Sequence, residues 1–259
     1  MEIAPLDPFL ALAEALADAA GAAIRPYFRQ PLAVEDKADL SPVTAADRAA
    51  EQAMRRLIAG RFPEHGIVGE EFGRERADAE FVWVLDPIDG TKSFISGVPL
   101  FGTLIALAQN GRPILGIIDQ PISRERWVGA AGRRTTLNGA PVHCRPCAGL
   151  DAATLFATTP DMFRGNDAAG FARLAARVKL TRFGADCYAY GLVAAGFVDL
   201  VAEAGLKPYD FSALAPVVEG AGGVATDWAG APLGLDSDGH VLIAGDRRTH
   251  REALSLLRA

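Results

Sequence analysis

Residues Phe81 to Thr91, reading FVWVLDPIDGT, constrain this chain more than any other segment. Phe81 to Leu85 is a near-continuous apolar run, the pattern of a strand buried on both faces. Pro87 lacks a backbone donor and is expected to end that strand. Asp86 and Asp89 then sit on a turn held by a rigid element. Gly90 admits a ligand close to the backbone. Thr91 can open a helix whose first amides face anions. Carboxylates gather hard cations and amides gather phosphate oxygens, so the segment suits metal-assisted phosphate chemistry. Asp-Pro and Asp-Gly are also ordinary turn pairs, and an Asp before a helix is often only a cap.

Three further acidic clusters bear on that choice. Gly66 to Val68 is a short apolar run leading through Gly69 to Glu70 and Glu71. Neighbours on an extended chain point to opposite faces, so only one of the two glutamates would face a metal. Thr44 and Asp47 open an alanine-rich amphipathic stretch with capping-box spacing. Asp47 in a first helical turn could also order a metal-bound water. Lys37, slightly upstream, reads as a solvated lysine unless its loop folds over the site. Asp210 lies where the apolar stretch Phe211 to Pro216 begins and would serve as an N-cap. Pro216 should kink that helix.

These segments together resemble the inositol monophosphatase family. Gly-Glu-Glu at 69–71, Asp-Pro-Ile-Asp-Gly-Thr at 86–91, Tyr-Asp-Phe-Ser-Ala at 209–213 and Val-Thr-Ala-Ala-Asp at 43–47 stand in family order with family-like spacing. The resemblance runs from about residue 7 to the end of the chain. Thr91–Leu107, Gly184–Tyr190 and Glu203–Phe211 look most like the family's histidinol-phosphate phosphatase branch. Asp186 occupies a position that is usually small and uncharged in inositol-specific relatives. An acidic group there suits an amine-bearing substrate through a charge-assisted hydrogen bond. Asp186 and Glu203 are therefore the candidate substrate readers. Asp186 reads equally well as the N-cap of a helix from Cys187.

The resemblance implies a layered αβαβα sandwich, α/β (α+β) in class, with a metal site between two subdomains. Residues 1–148 would carry most of the metal ligands. Residues 149–259 would carry the substrate readers and one ligand. Roughly two or three Mg²⁺ ions per site would be held by Glu70, Asp86, Asp89, Asp210 and the Ile88 carbonyl. Glu70 and Thr91 would orient the attacking water, with Asp47 supporting Thr91. The Gly90 and Thr91 amides would hold the phosphate, and a metal would stabilise the leaving alkoxide. The implied reaction is direct hydrolysis of a phosphate monoester, histidinol phosphate first and inositol-1-phosphate as the alternative. Fructose bisphosphate or 3′-phosphorylated nucleotides would call for further basic residues. A noncatalytic regulatory or binding member is the reading from another class, and retention of every metal carboxylate speaks against it. The resemblance also implies a homodimer.

Bulk properties fit a metabolic enzyme. A chain of 259 residues, 50% hydrophobic, can bury a sizeable core in one large domain or two coupled ones. A net charge of −6 argues against nonspecific nucleic-acid binding. Cys144 and Cys147 form a Cys-x-x-Cys with only His143 nearby, short of the ligands zinc needs. Cys187 reads as a small core residue. Without a disulfide framework, a basic leader or a membrane-length apolar run, a cytoplasmic location is expected.

The periodicities predict helices over 7–28, 44–60 and 91–95. Strands are expected near 66–69, 81–86, 101–109, 113–120 and 127–130, forming a helix-flanked antiparallel sheet. Asn110-Gly111 marks a hairpin and Asn138-Gly139 a further turn. Beyond residue 150, strands near 153–158, 180–183, 198–203, 223–227 and 240–244 alternate with helices 167–178, 187–196, 211–221 and one from 248. That alternation predicts an α/β layer.

Overall fold

The computed structural model describes residues 6–31, 35–36 and 42–258. Helices α1 (Asp7–Ile24) and α2 (Ala45–Arg61) come first, with short paired strands β1 (Glu35–Asp36) and β2 (Pro42–Val43) between them. Then follow β3 (Gly66–Gly69), β4 (Gly73–Glu75), β5 (Phe81–Asp89), helix α3 (Thr91–Ile95), β6 (Gly102–Gln109), β7 (Arg112–Gln120), β8 (Glu125–Ala130), β9 (Thr136–Leu137) and β10 (Ala140–Pro141). Strands β3 to β10 build an eight-stranded sheet in the order β10-β9-β8-β7-β6-β5-β3-β4. It is antiparallel except where β3 runs parallel to β5. The remaining elements are β11 (Thr154–Ala157), α4 (Asn166–Ala175), β12 (Leu180–Phe183), α5 (Tyr188–Ala194), β13 (Leu200–Glu203), α6 (Pro208–Phe211), α7 (Leu214–Gly220), β14 (Val224–Thr226), β15 (Val241–Ala244) and α8 (Arg247–Arg258). Their strands form a five-stranded mixed sheet, β12-β11-β13-β15-β14.

Side-chain alternation on the central strands sorts the core into three apolar layers. On β5, Trp83 and Leu85 face α1 and α2, together with Ile105 and Leu107 of β6. Helix α1 meets them with Leu12, Leu16, Ala20 and Ile24, spaced at one helical face. Val82 and Val84 point the other way, toward α5 and α7. The same middle layer receives Phe156, Val201 and Ile243 from the second sheet. Leu155, Leu200 and Leu242, one residue away on those strands, turn instead to α4 and α8. The result is the expected αβαβα sandwich. Both sheets are covered on both faces, which is why Phe81–Leu85 of β5 and Leu104–Ala108 of β6 are apolar runs.

Several elements differ from the sequence expectations for local reasons. Strand β5 does not stop before Pro87 but continues to Asp89, with a register shift between Asp86 and Asp89. The missing donor of Pro87 falls in that irregularity, and the Pro87 carbonyl accepts the Thr103 hydroxyl at 2.8 Å. Strand β4 was not foreseen, because Gly73, Arg74 and Glu75 are all exposed and carry no apolar pattern. The helix expected over 211–221 is two helices, α6 and α7, interrupted at Ser212 and Ala213. Pro216 cannot bond the Ser212 carbonyl four residues back, and the interruption falls there. Both Asn-Gly pairs form the expected turns: Asn110, Gly111, Asn138 and Gly139 all have positive φ. Lys37 lies outside the described residues.

Candidate active site

The acidic segments meet where β5 ends, α2 begins and α6 begins. Thr44 caps α2: its hydroxyl accepts the Ala46 amide at 3.1 Å. Asp47 completes the capping box, accepting the Thr44 amide at 2.9 Å and its hydroxyl at 2.6 Å on one carboxylate oxygen. The other oxygen, Oδ1, is buried without a hydrogen-bond partner. Asp210 is not the N-cap of α6. Lys207 holds that position, and Asp210, at the third helical residue, accepts the Lys207 amide at 2.6 Å.

One carboxylate oxygen from each of Asp86, Asp89 and Asp210 lies within 4.8 Å of the others. Burial pushes the Asp86 carboxyl well above the ordinary range, and the charges of Glu70, Asp89 and Asp210 push it further. Asp89 rises for the same reason, with Asp186 and Asp210 as the repelling neighbours. Asp210 is pushed up to about 7 by burial, against the opposing bond from Lys207. Asp86 Oδ1 is buried with no donor. Crowded carboxylates, a donorless buried oxygen and an all-oxygen ligand set fit a hard divalent cation. Ile88 lies between Asp86 and Asp89 in sequence, and its carbonyl accepts the Thr91 hydroxyl at 3.1 Å. The expected contact of Thr91 with Asp47 is therefore not formed in this arrangement.

A cleft of about 310 Å³ opens beside the cluster. Glu70, Asp89, Gly90, Thr91, Asp186, Glu203 and Asp210 all line it. Gly90 caps α3 with φ of 85°, a conformation that glycine adopts without strain. A side chain there would also collide with the Asp186 carboxylate. Across the cleft, the Cys187 amide donates to Asp89 at 2.6 Å and ties the start of α5 to the acidic cluster.

Asp186 is not a helix cap. The N-cap of α5 is Cys187, with no side-chain bond, and the Asp186 carboxylate accepts the Ser93 hydroxyl at 2.7 Å. Burial raises the Asp186 carboxyl, opposed by Ser93 and by the charge of Lys92. Glu203 is differently placed. Its two oxygens accept the Thr158 amide and the Tyr190 hydroxyl, each at 2.7 Å, so it braces the cleft wall. Ser93, Tyr190 and Leu206 lie within the stretches that carry the family resemblance but were not singled out, and Thr158 and Met162 carried no signal in sequence, because a lone polar or apolar residue has no chemistry-bearing pattern. The Cys-x-x-Cys stays outside the site: Cys144 and Cys147 are free thiols, and burial pushes Cys144 up to about 11. Cys187 is buried, as expected. No helix among the described residues is long and apolar enough to cross a membrane.

Known proteins resemble this chain over nearly its whole length. The sequence profile of the inositol monophosphatase family matches residues 5–259. The bifunctional phosphatase IMPL2, chloroplastic, of Arabidopsis thaliana is 52% identical over 97% of this chain and 75% of its own length. The histidinol-phosphatase of Chlorobaculum parvum is 38% identical over 91% of this chain and 92% of its own. Among solved structures, an inositol monophosphatase from Zymomonas mobilis superposes with a TM-score of 0.92 at 49% identity, covering 99% of this chain and all of that one.

Proposed function

The chain belongs to the inositol monophosphatase family of phosphatases, and on that premise we propose that it is a Mg²⁺-dependent histidinol-phosphate phosphatase of histidine biosynthesis. The observation that carries the substrate choice is Asp186. It is an acidic side chain at the cleft, against Gly90, and it does not cap a helix. It lines the same cleft as Gly90 and Thr91, and a carboxylate there would accept a charge-assisted hydrogen bond from an ammonium group. Relatives named histidinol-phosphatase at 37–38% identity support the same choice.

Asp86, Asp89 and Asp210 would hold the cation, with Glu70 and the Ile88 carbonyl completing the ligand set. When bound, the metal supplies Lewis acidity, acidifying water and neutralising phosphate charge. The chain's own groups do the positioning. The Gly90 and Thr91 amides bind phosphate oxygens at the start of α3. Glu70 and the Thr91 hydroxyl orient water in line with the ester bond; Asp47, which bonds Thr44 and not Thr91, would act on them only through an intervening water. The water oxygen bonds phosphorus as the ester P–O bond breaks; the attacking water gives up one proton and the departing alkoxide takes one up, so the products are the alcohol and hydrogen phosphate. The unpartnered oxygen of Asp47 is a natural seat for a second ordered water. We assign most of the metal ligands to residues 1–148, and the substrate reader with one ligand, Asp210, to 149–259, working as a cytoplasmic homodimer.

A second reading, inositol-1-phosphate phosphatase, is favoured by the 49% identity to the inositol monophosphatase from Zymomonas mobilis. Phosphate release from the two esters, measured side by side with Mg²⁺, separates them. A large kcat/KM preference for histidinol phosphate that collapses in Asp186→Ala is expected. Equal rates, or equal losses on both esters, would overturn the substrate choice and leave the metal chemistry standing. Asp89→Asn should abolish both reactions.

A further inference from the structure

Glu51 is fully buried on α2, one turn beyond Asp47. A buried carboxylate is costly unless its charge is fully met. Here every bond serves one short segment. Glu51 Oε2 accepts the Glu71 amide at 2.7 Å, and Oε1 accepts the Phe72 amide at 3.1 Å. Arg55, one turn further along α2, donates to Oε1 at 2.7 Å and also to the Gly73 carbonyl. Gly69 lies so close that any side chain there would strike the Glu51 carboxylate.

Glu71 is half-buried and Phe72 is 50% exposed, so the turn that these bonds hold lies toward the surface. What the contacts define is the residue just before them. The Glu70 amide donates to the Leu85 carbonyl at 3.2 Å, beside Asp86. Its backbone is thus fastened to β5 on one side, and the next two amides to α2 on the other. We infer that Glu51, braced by Arg55, is a positioning residue that clamps the Glu70–Phe72 turn and so sets the Glu70 carboxylate against Asp86. The inference rests on Glu70 serving the metal and water as proposed above.

Glu51→Gln preserves volume but places an amide donor against amide donors. Removing a group that orients a ligand lowers metal affinity or activity by about 10- to 100-fold. Calorimetric titration with Mg²⁺ alone should show weakened binding in Glu51→Gln, and the half-saturating Mg²⁺ for turnover should rise in parallel. kcat should fall while KM for the phosphate ester stays near wild type. A residue needed only for stability would lower Tm and move neither Mg²⁺ binding nor the split between kcat and KM. That outcome overturns the clamp. Arg55→Met, which keeps packing but drops both guanidinium bonds, should shift the same two quantities less. If Glu51→Gln does not fold, Arg55→Met decides: a shift supports the clamp, and wild-type values overturn it. Glu70→Gln runs alongside. A crippled Glu70→Gln beside a normal Glu51→Gln refutes the clamp only, whereas two normal proteins refute both the clamp and the role of Glu70.

Discussion

Asp210→Asn should make the metal-free protein more stable while it destroys the site. In the fold, Asp210 titrates at about 7, against an ordinary value of 3.8, because burial and the charges of Glu70 and Glu203 disfavour its ionised form. The carboxyl is therefore easier to ionise in the unfolded chain. Its contribution to stability is fully present below about 3.8 and is lost as pH rises through about 7. At roughly 1.4 kcal/mol per pH unit, the loss reaches a ceiling of about 4 kcal/mol at pH 8 and is under about 2 kcal/mol at pH 5. An asparagine carries no charge, and its carbonyl can still accept the Lys207 amide that Asp210 accepts at 2.6 Å. Thermal unfolding in EDTA at pH 8 should then show Asp210→Asn melting on the order of 10 °C above wild type, with a much smaller gap at pH 5. Adding Mg²⁺ should raise the wild-type Tm by mass action and leave the variant nearly unmoved. A variant no more stable than wild type in EDTA at pH 8, or one stabilised equally by Mg²⁺, would refute the argument that this cluster stores charge repulsion for a cation to relieve.

Two further expectations concern the scaffold. His250 is buried beside the Thr226 hydroxyl, and burial with the charges of Arg247, Arg258 and Arg251 lowers it to about 4. A depressed base gives stability that is present above about 6.5 and lost as pH falls through about 4. Urea unfolding at pH 4.5 against pH 7.5 should cost wild type about 2–3 kcal/mol more than it costs His250→Gln. Gly116 on β7 lies against the Ala213 carbonyl at the break between α6 and α7. Gly116→Ala has no room there and should lower stability by about 1–3 kcal/mol in the same urea assay.

The layers of this fold were legible in sequence because each obeys a local rule. The apolar runs of β5 and β6 required cover on both faces. The alanine-rich period of α1 required one buried stripe, and the two Asn-Gly pairs required hairpins. The Thr44–Asp47 capping box was equally local, since its bonds span three residues. Strand β4 was not legible, because an exposed edge strand carries no apolar pattern. The extension of β5 through Pro87 was hidden for a different reason: a bulge absorbs the missing donor only when β6 is already paired alongside. The acidic residues of the site were visible as types and as motifs, and their convergence was expected only through the family resemblance, because no local rule carries Asp210 to the end of β5.

Tertiary structure alone decided which neighbours each acidic group meets. Asp86, Asp89 and Asp210 are separated by up to 124 residues in number, 86 to 210, yet three of their oxygens share one 4.8 Å space. Asp186 stood open between helix cap and substrate reader; in the fold it caps no helix, accepts the Ser93 hydroxyl and lines the cleft. Glu203 looked like a reader, and the Thr158 and Tyr190 bonds show both its oxygens engaged within the protein. Glu51 looked like one more polar residue on an amphipathic helix. Its position four residues after Asp47 placed both on one helical face, which the period could have told, but the amides it accepts come from a turn twenty residues away. Backbone propensity and burial act over a few residues and can be read along the chain. Charge repulsion, desolvation and hydrogen-bond occupancy depend on which neighbours the fold supplies, and those are settled only in three dimensions.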